Sequence, residues 1–84
     1  MPTREEVITI IIPFDTYSWD VEKAIHKMAI NIGGDWFSSV KINDDGSRNV
    51  NTLIPEDKIT SFKAAVFTML ATEYKIINAS IKGE

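Results

Sequence analysis

The chain contains no cysteine and a single histidine, His26. The first absence excludes a disulfide framework, a zinc–thiolate centre and a thiol nucleophile. The second leaves transition metals without their usual nitrogen ligands. Long apolar runs are missing as well. Ile10–Ile12 is stopped by Pro13 and Asp15, far short of the roughly 20 residues a membrane-spanning helix needs. Met1–Glu6 is acidic and leads into no apolar segment of signal-peptide form, so a cytoplasmic protein is expected.

Positive charge is not in excess either. Nine Lys and Arg stand against 12 Asp and Glu, a formal net charge of −3. Residues 1–42 hold 4 basic and 6 acidic side chains and residues 43–84 hold 5 and 6, so neither half is biased. A general nucleic-acid binder carries a basic footprint that this chain lacks, and −3 is too mild for a carboxylate mimic of DNA. The 4 glycines and 3 prolines gather into no linker, and nothing repeats, so residues 1–84 read as one small α+β domain.

With 44% hydrophobic and 25% charged residues among 84, the composition is that of a folded chain. A domain this small buries only about 60–65% of its unfolded surface, so an efficient core or an oligomer has to help. Isoleucine occurs 13 times and leucine twice, and lysine outnumbers arginine 7 to 2. The β-branched excess favours strands. The same bias fits an AT-rich genome such as that of many phages or low-GC bacteria, and makes a phage or mobile-element origin an expectation.

Val7–Phe14 alternates as a strand, with Ile8, Ile10, Ile12 and Phe14 on one face and Val7, Thr9 and Ile11 on the other. Ser18 reads as a helix N-cap with Asp20 and Glu22 in the first turn. Val21, Ile25, Met28, Ala29 and Ile32 follow as an amphipathic stripe that Gly33-Gly34 ends. Trp36–Asn43 is expected as a strand with Val40 and Ile42 inward and Ser39 and Lys41 outward. Asp44-Asp45-Gly46-Ser47 supplies turn chemistry, and Asn49–Ile54 returns with Val50, Thr52 and Ile54 on one side.

Pro55 takes a first helical position, with Glu56 and Asp57 at the positive end of the helix dipole. The stripe of this second helix is Ile59, Phe62, Val66, Met69 and Leu70, widened by Ala64, Phe67 and Ala71. Tyr74–Lys82 reads as a last strand with Ile77, Ala79 and Ile81 inward. A helix continuing to about residue 78 competes with it, because no Gly or Pro intervenes. The order β-α-β-β-α-β predicts a ferredoxin-like split βαβ sandwich: a four-stranded antiparallel sheet with two helices on one face.

That arrangement leaves one sheet face open, carrying Val7, Thr9, Ile11, Phe37, Ser39, Lys41, Asn49, Asn51, Leu53, Tyr74 and Ile76. An apolar patch of this size points to an interface. Ile11, Phe37, Lys41, Leu53, Tyr74 and Ile76 are therefore the first set of partner-binding residues, set against the alternative that β-branched residues there merely serve strand propensity. A second set lies at the loop end: Tyr17, Trp19, Asp45 and Arg48, of the residue types that dominate interface energetics. For Tyr17 and Trp19 the competing role is a hydrophobic staple, with Tyr17 before the cap and Val21 or Glu22 beyond it.

Catalytic chemistry finds little support. His26 lies off the helix stripe and reads as a solvated surface residue. Glu5/Glu6, Asp44/Asp45 and Glu56/Asp57 are explained by a terminus, a turn and a helix start. Asn43-Asp44-Asp45-Gly46 fails the calcium-loop spacing, since Lys41 stands where an acid is required. Gly33-Gly34-Asp35 belongs to neither a phosphate-binding loop nor a dinucleotide fingerprint. No enzyme, metal or cofactor is expected.

The leading expectation is a non-catalytic protein-interaction module, an inhibitor or modulator of a larger protein that forms a homodimer through its sheet face. One alternative is an RRM-like nucleic-acid binder using the open face, with Lys41, Lys75 and Lys82 along one side. That use normally needs stacking aromatics, which the central strands lack. The other is a dimeric small-ligand-sensing regulatory domain, which fold alone does not license.

Overall fold

The computed structural model describes residues 4–36 and 41–82. Along the chain run β1 (Glu5–Ile12), α1 (Trp19–Asn31), β2 (Asp35–Trp36), β3 (Lys41–Ile42), β4 (Arg48–Pro55), a 3-10 turn (Glu56–Lys58), α2 (Ile59–Glu73) and β5 (Ser80–Lys82). The protein is α+β, with two α-helices and an antiparallel sheet of five strands rather than four. The sheet order is β2-β4-β1-β5, and β3 also pairs with β4. The single strand expected over 36–43 is two short segments. β2 meets β4 at Leu53 and Thr52, β3 meets it at Asn49 and Arg48, and the register slips by two residues between them. A slip of that kind leaves no mark on alternation at the strand ends. Phe37, Ser39 and Val40 lie outside the described residues.

At the centre, β1 pairs with β4 over eight rungs, from Glu5 opposite Pro55 to Ile12 opposite Arg48. Strict alternation does the rest. Ile8, Ile10 and Ile12 of β1 and Val50, Thr52 and Ile54 of β4 are fully buried on one face. Both helices pack there: Val21, Ile25 and Ala29 of α1, and Ile59, Phe62, Val66, Met69 and Leu70 of α2. The one hydroxyl in this layer, on Thr52, donates to Ile8 O at 2.8 Å, which removes the cost of burying it unpaired. Ile42 shares the helix side of the sheet yet is 60% exposed, because β3 extends past the helices' cover. Ala64, Phe67 and Ala71, expected to widen the α2 stripe, are exposed. α2 is apolar on several sides, so its sequence does not say which side is buried.

The helix ends follow local chemistry. Ser18 Oγ accepts from Val21 N at 3.3 Å and caps α1 as expected. α1 closes in a Schellman motif, with Gly33 at φ +89°, Gly33 N donating to Ile30 O and Gly34 N to Ala29 O. Pro55, expected to begin the second helix, is instead the last residue of β4. Its extended ψ of 137° makes it the N-cap of the 3-10 turn.

The C-terminal segment departs most from expectation. α2 stops at Glu73 without a glycine, because Lys75 takes the left-handed conformation (φ 58°) and Tyr74 N and Ile76 N both return to Leu70 O. The turn drives Ile76 into the core and leaves Ile77 87% exposed, the reverse of the expected facing. Ala79 and Ile81 do pack against the core, as read, but the strand is only Ser80–Lys82. A non-glycine residue in this region costs about 1–2 kcal/mol. Allowing for the freer unfolded chain that glycine brings, Lys75→Gly is expected to stabilise the protein by about 0.5 kcal/mol. A urea midpoint that rises with unchanged slope checks this; a fall would show that the Lys75 side chain holds the turn.

Candidate interaction surfaces

The uncovered face of the sheet is built from the odd-numbered residues of β1 and β4. Four layers cross it: Glu5 and Pro55; then Asp35, Leu53 and Val7; then Asn51, Thr9 and Lys82; then Lys41, Asn49, Ile11 and Ser80. Thr9 Oγ1 donates to Asn51 Oδ1 at 2.6 Å, and Asn43 Nδ2 donates to Asn49 Oδ1 at 2.7 Å. These bonds satisfy the polar middle of the face internally. The apolar side chains beside them stay in water: Val7 is exposed, and Ile11 and Leu53 are half-buried. Lys41 and Lys82 are exposed on opposite flanks. Of the residues assigned to this face from sequence, Ile11, Leu53 and Lys41 lie on it and Phe37 is outside the described residues. Tyr74 and Ile76 are not there. Ile76 is buried under the helices, and Tyr74 closes α2, its hydroxyl donating to Asp20 O at 3.4 Å. Both were displaced by the left-handed turn at Lys75.

At the loop end the fold brings two of the four expected residues, Tyr17 and Arg48, together, and Asp45 sits in the turn that leads into Arg48. The Asn43–Ser47 turn is fixed by Asp45 Oδ1, which accepts from Ser47 N at 2.9 Å and Ser47 Oγ at 2.6 Å. These bonds, the side-chain one foremost, hold the Asp45 carboxyl below its ordinary pKa. Gly46, at φ +87°, presses on Phe14, whose ring a Cβ would meet at 3.1 Å. Arg48 begins β4 and sets its guanidinium 4.8 Å from the Tyr17 ring centroid. Its Nε is buried without a hydrogen-bond partner. Tyr17 OH in turn donates to Glu22 Oε1. Tyr17 stands just before the Ser18 cap and Glu22 in the first turn of α1, so the staple pair foreseen in sequence is bridged by a hydrogen bond.

Burial, the hydrogen bond to Glu22 and the charge of Glu22, in that order, push the Tyr17 phenol up to about 12 from 10.0, against the opposing pull of Arg48. Because the folded pKa lies above the unfolded one, this contribution to stability is complete below pH 10 and is lost as pH climbs toward 12. In a Tyr74→Phe variant the single remaining tyrosine should ionise near 12, read by tyrosinate absorbance, and Glu22→Gln should bring that value down.

Trp19, the fourth loop-end residue, turns instead into a groove along α1 shared with Asp20, Lys23, His26, Lys27, Ile30 and Trp36, which Glu73 and Tyr74 close at one end. The sequence marks Trp36 only as the start of a strand. Its pairing opposite Thr52 puts it on the helix side, where its ring centroid lies 5.1 Å from that of His26. His26 is accordingly half-buried rather than fully solvated, and desolvation lowers its pKa from 6.5. The available signal was a second stripe on α1, Trp19, Lys23, His26 and Ile30, at i, i+4, i+7 and i+11.

Among the described residues no three His, Cys, Asp or Glu side chains converge as metal ligands would, and no helix is long and apolar enough to cross a membrane. The chain matches no protein-family model, and no curated protein matches its sequence.

Proposed function

We propose that this chain is a cytoplasmic, non-catalytic protein-interaction module that inhibits or modulates a larger protein through its open sheet face. Its plan is the ferredoxin-like split βαβ, with β2 and β3 as two halves of one edge strand. The Ile- and Lys-rich composition suits a phage or mobile-element protein of this kind. The observation that supports the reading is the asymmetry of the sheet. Both helices lie on one face, while Val7 and Leu53, directly paired, and Ile11 remain uncovered on the other. Exposed apolar side chains set among satisfied polar groups are what an interface core requires.

A second reading, nucleic-acid binding, draws on Lys41 and Lys82 flanking the same face. The two separate in one experiment. A tagged chain should retain a stoichiometric protein from lysate of its source after nuclease treatment, and Ile11→Asp or Leu53→Asp should abolish retention with circular dichroism unchanged. Retention that disappears with nuclease, falls steeply with salt and weakens in Lys41→Glu would replace the first reading with the second.

A further inference from the structure

We propose that the groove along α1 is a self-association surface, in which a second copy of this chain docks with its α1 antiparallel to the first. Apolar area is concentrated there. Trp19 (60% exposed), Ile30 (52%) and Trp36 (50%) are three of the eight large hydrophobic side chains exposed among the described residues. All three line this single groove. Trp19 and Ile30 share one stripe of α1, and Trp36 extends it sideways through its contact with His26. Exposed tryptophans are costly to hydrate and are the strongest interface anchors among the side chains.

The charges select the occupant. A two-fold interface presents the same patch twice, so whatever one end carries must complement the other end. Here the end beside Trp19 carries the carboxylates of Asp20 and Glu73, together with Lys23, whose ammonium lies 6.0 Å from the Trp19 ring centroid, and Lys27 lies two turns beyond Asp20 in the same groove. Lys27 has no ion pair among the described residues. Asp20 reaches Lys23 at 3.9 Å, with 77% of its side chain still exposed. Asp20 and Lys27 are two helical turns apart, about 10.5 Å at 1.5 Å per residue. With the dyad beside Lys23 and Ala24, each Asp20 faces the partner's Lys27, and each Trp19 falls within a turn of the partner's Ile30. The open sheet faces point away from this contact and stay available.

The test is a charge exchange read by sedimentation equilibrium on the full chain. The wild type should show a concentration-dependent dimer. Asp20→Lys and Lys27→Asp, both at exposed positions and checked by circular dichroism, should each weaken it by about tenfold or more, since each sets like charges opposite one another twice. Mixing the two variants should restore association, because the mixed pair recovers both opposite-charge contacts. Ile11→Asp should leave the dimer intact. A wild type that stays monomeric at all concentrations, single variants that dimerise normally, or a mixture that fails to pair would each overturn the proposal. Loss of the dimer in Ile11→Asp would overturn it too, moving self-association to the sheet face. None of these outcomes bears on whether the open face binds another protein.

Discussion

Gly34→Ala is expected to cost about 3 kcal/mol or more of stability, whereas Gly33→Ala, one residue earlier, should cost clearly less. A Cβ on Gly34 would stand 2.2 Å from Leu53 O, 3.3 Å from Leu53 C and 3.1 Å from Ala29 O. All three are backbone atoms. Two belong to the central strand β4, and the third accepts the hydrogen bond that closes α1. No side-chain rotation relieves the overlap, so either α1 lifts off the sheet or β4 loses its rung with Asp35. Overpacking that has to move backbone costs about 3 kcal/mol or more. At about 0.05–0.15 kcal/mol per residue, a chain of this size has roughly 4–13 kcal/mol in total.

Gly33 differs in kind. A Cβ there has nothing within 4 Å, and only its φ of +89° penalises a side chain, by about 1–2 kcal/mol. Urea unfolding of the two variants side by side measures the contrast. A Gly34→Ala protein within 1 kcal/mol of wild type would mean that the α1–β4 junction is looser than described.

The second large effect is expected at Phe62. This ring is 1% exposed, the bulkiest of the fully buried side chains, and lies in the core with Leu70, Val66 and the β1 isoleucines. Phe62→Ala should cost about 3–5 kcal/mol through lost burial and the cavity left behind. In a domain of this size each kcal/mol lowers Tm by about 4–8 °C. Phe67, on the same helix, is 46% exposed, and Phe67→Ala should cost below about 1 kcal/mol. Thermal unfolding of the pair tells whether α2 is seated as described. Equal losses would mean that the helix is rotated about its axis.

That contrast marks where sequence was legible. In β1 and β4, strand parity sets Ile8, Ile10 and Ile12, and Val50, Thr52 and Ile54, on one face each, so facing could be read residue by residue, and all six are buried as expected; the register between the two strands could not. α1 carries a cap, an apolar stripe and a glycine stop, each with its own chemistry. α2 has Ala64, Ala65, Phe67 and Ala71 outside its buried stripe, so periodicity alone could not separate Phe62 from Phe67. The C-terminal segment misled for a different reason. Lysine has no preference that announces a left-handed turn, and tertiary packing of Ile76 holds Lys75 there. Among the surface residues, Ile11 and Leu53 followed from strand parity. Trp36 was missed because its side of the sheet is set by pairing with β4, a long-range contact.

The ladder between β1 and β4 also bears on how quickly this protein reaches its native state. Its rungs join Ile12 to Arg48 and Glu5 to Pro55, so the sheet's two longest strands meet only across a loop that contains all of α1. The Asn43–Ser47 turn closes over a few residues, and α1 forms from local contacts. The central pairing must instead meet a large loop-closure entropy before any rung is made. The first encounter of these two strands is therefore expected to limit the rate of folding. Substitutions at Ile10 or Val50 should slow refolding, while those at Ile81 on the late-joining edge should act mainly by speeding unfolding.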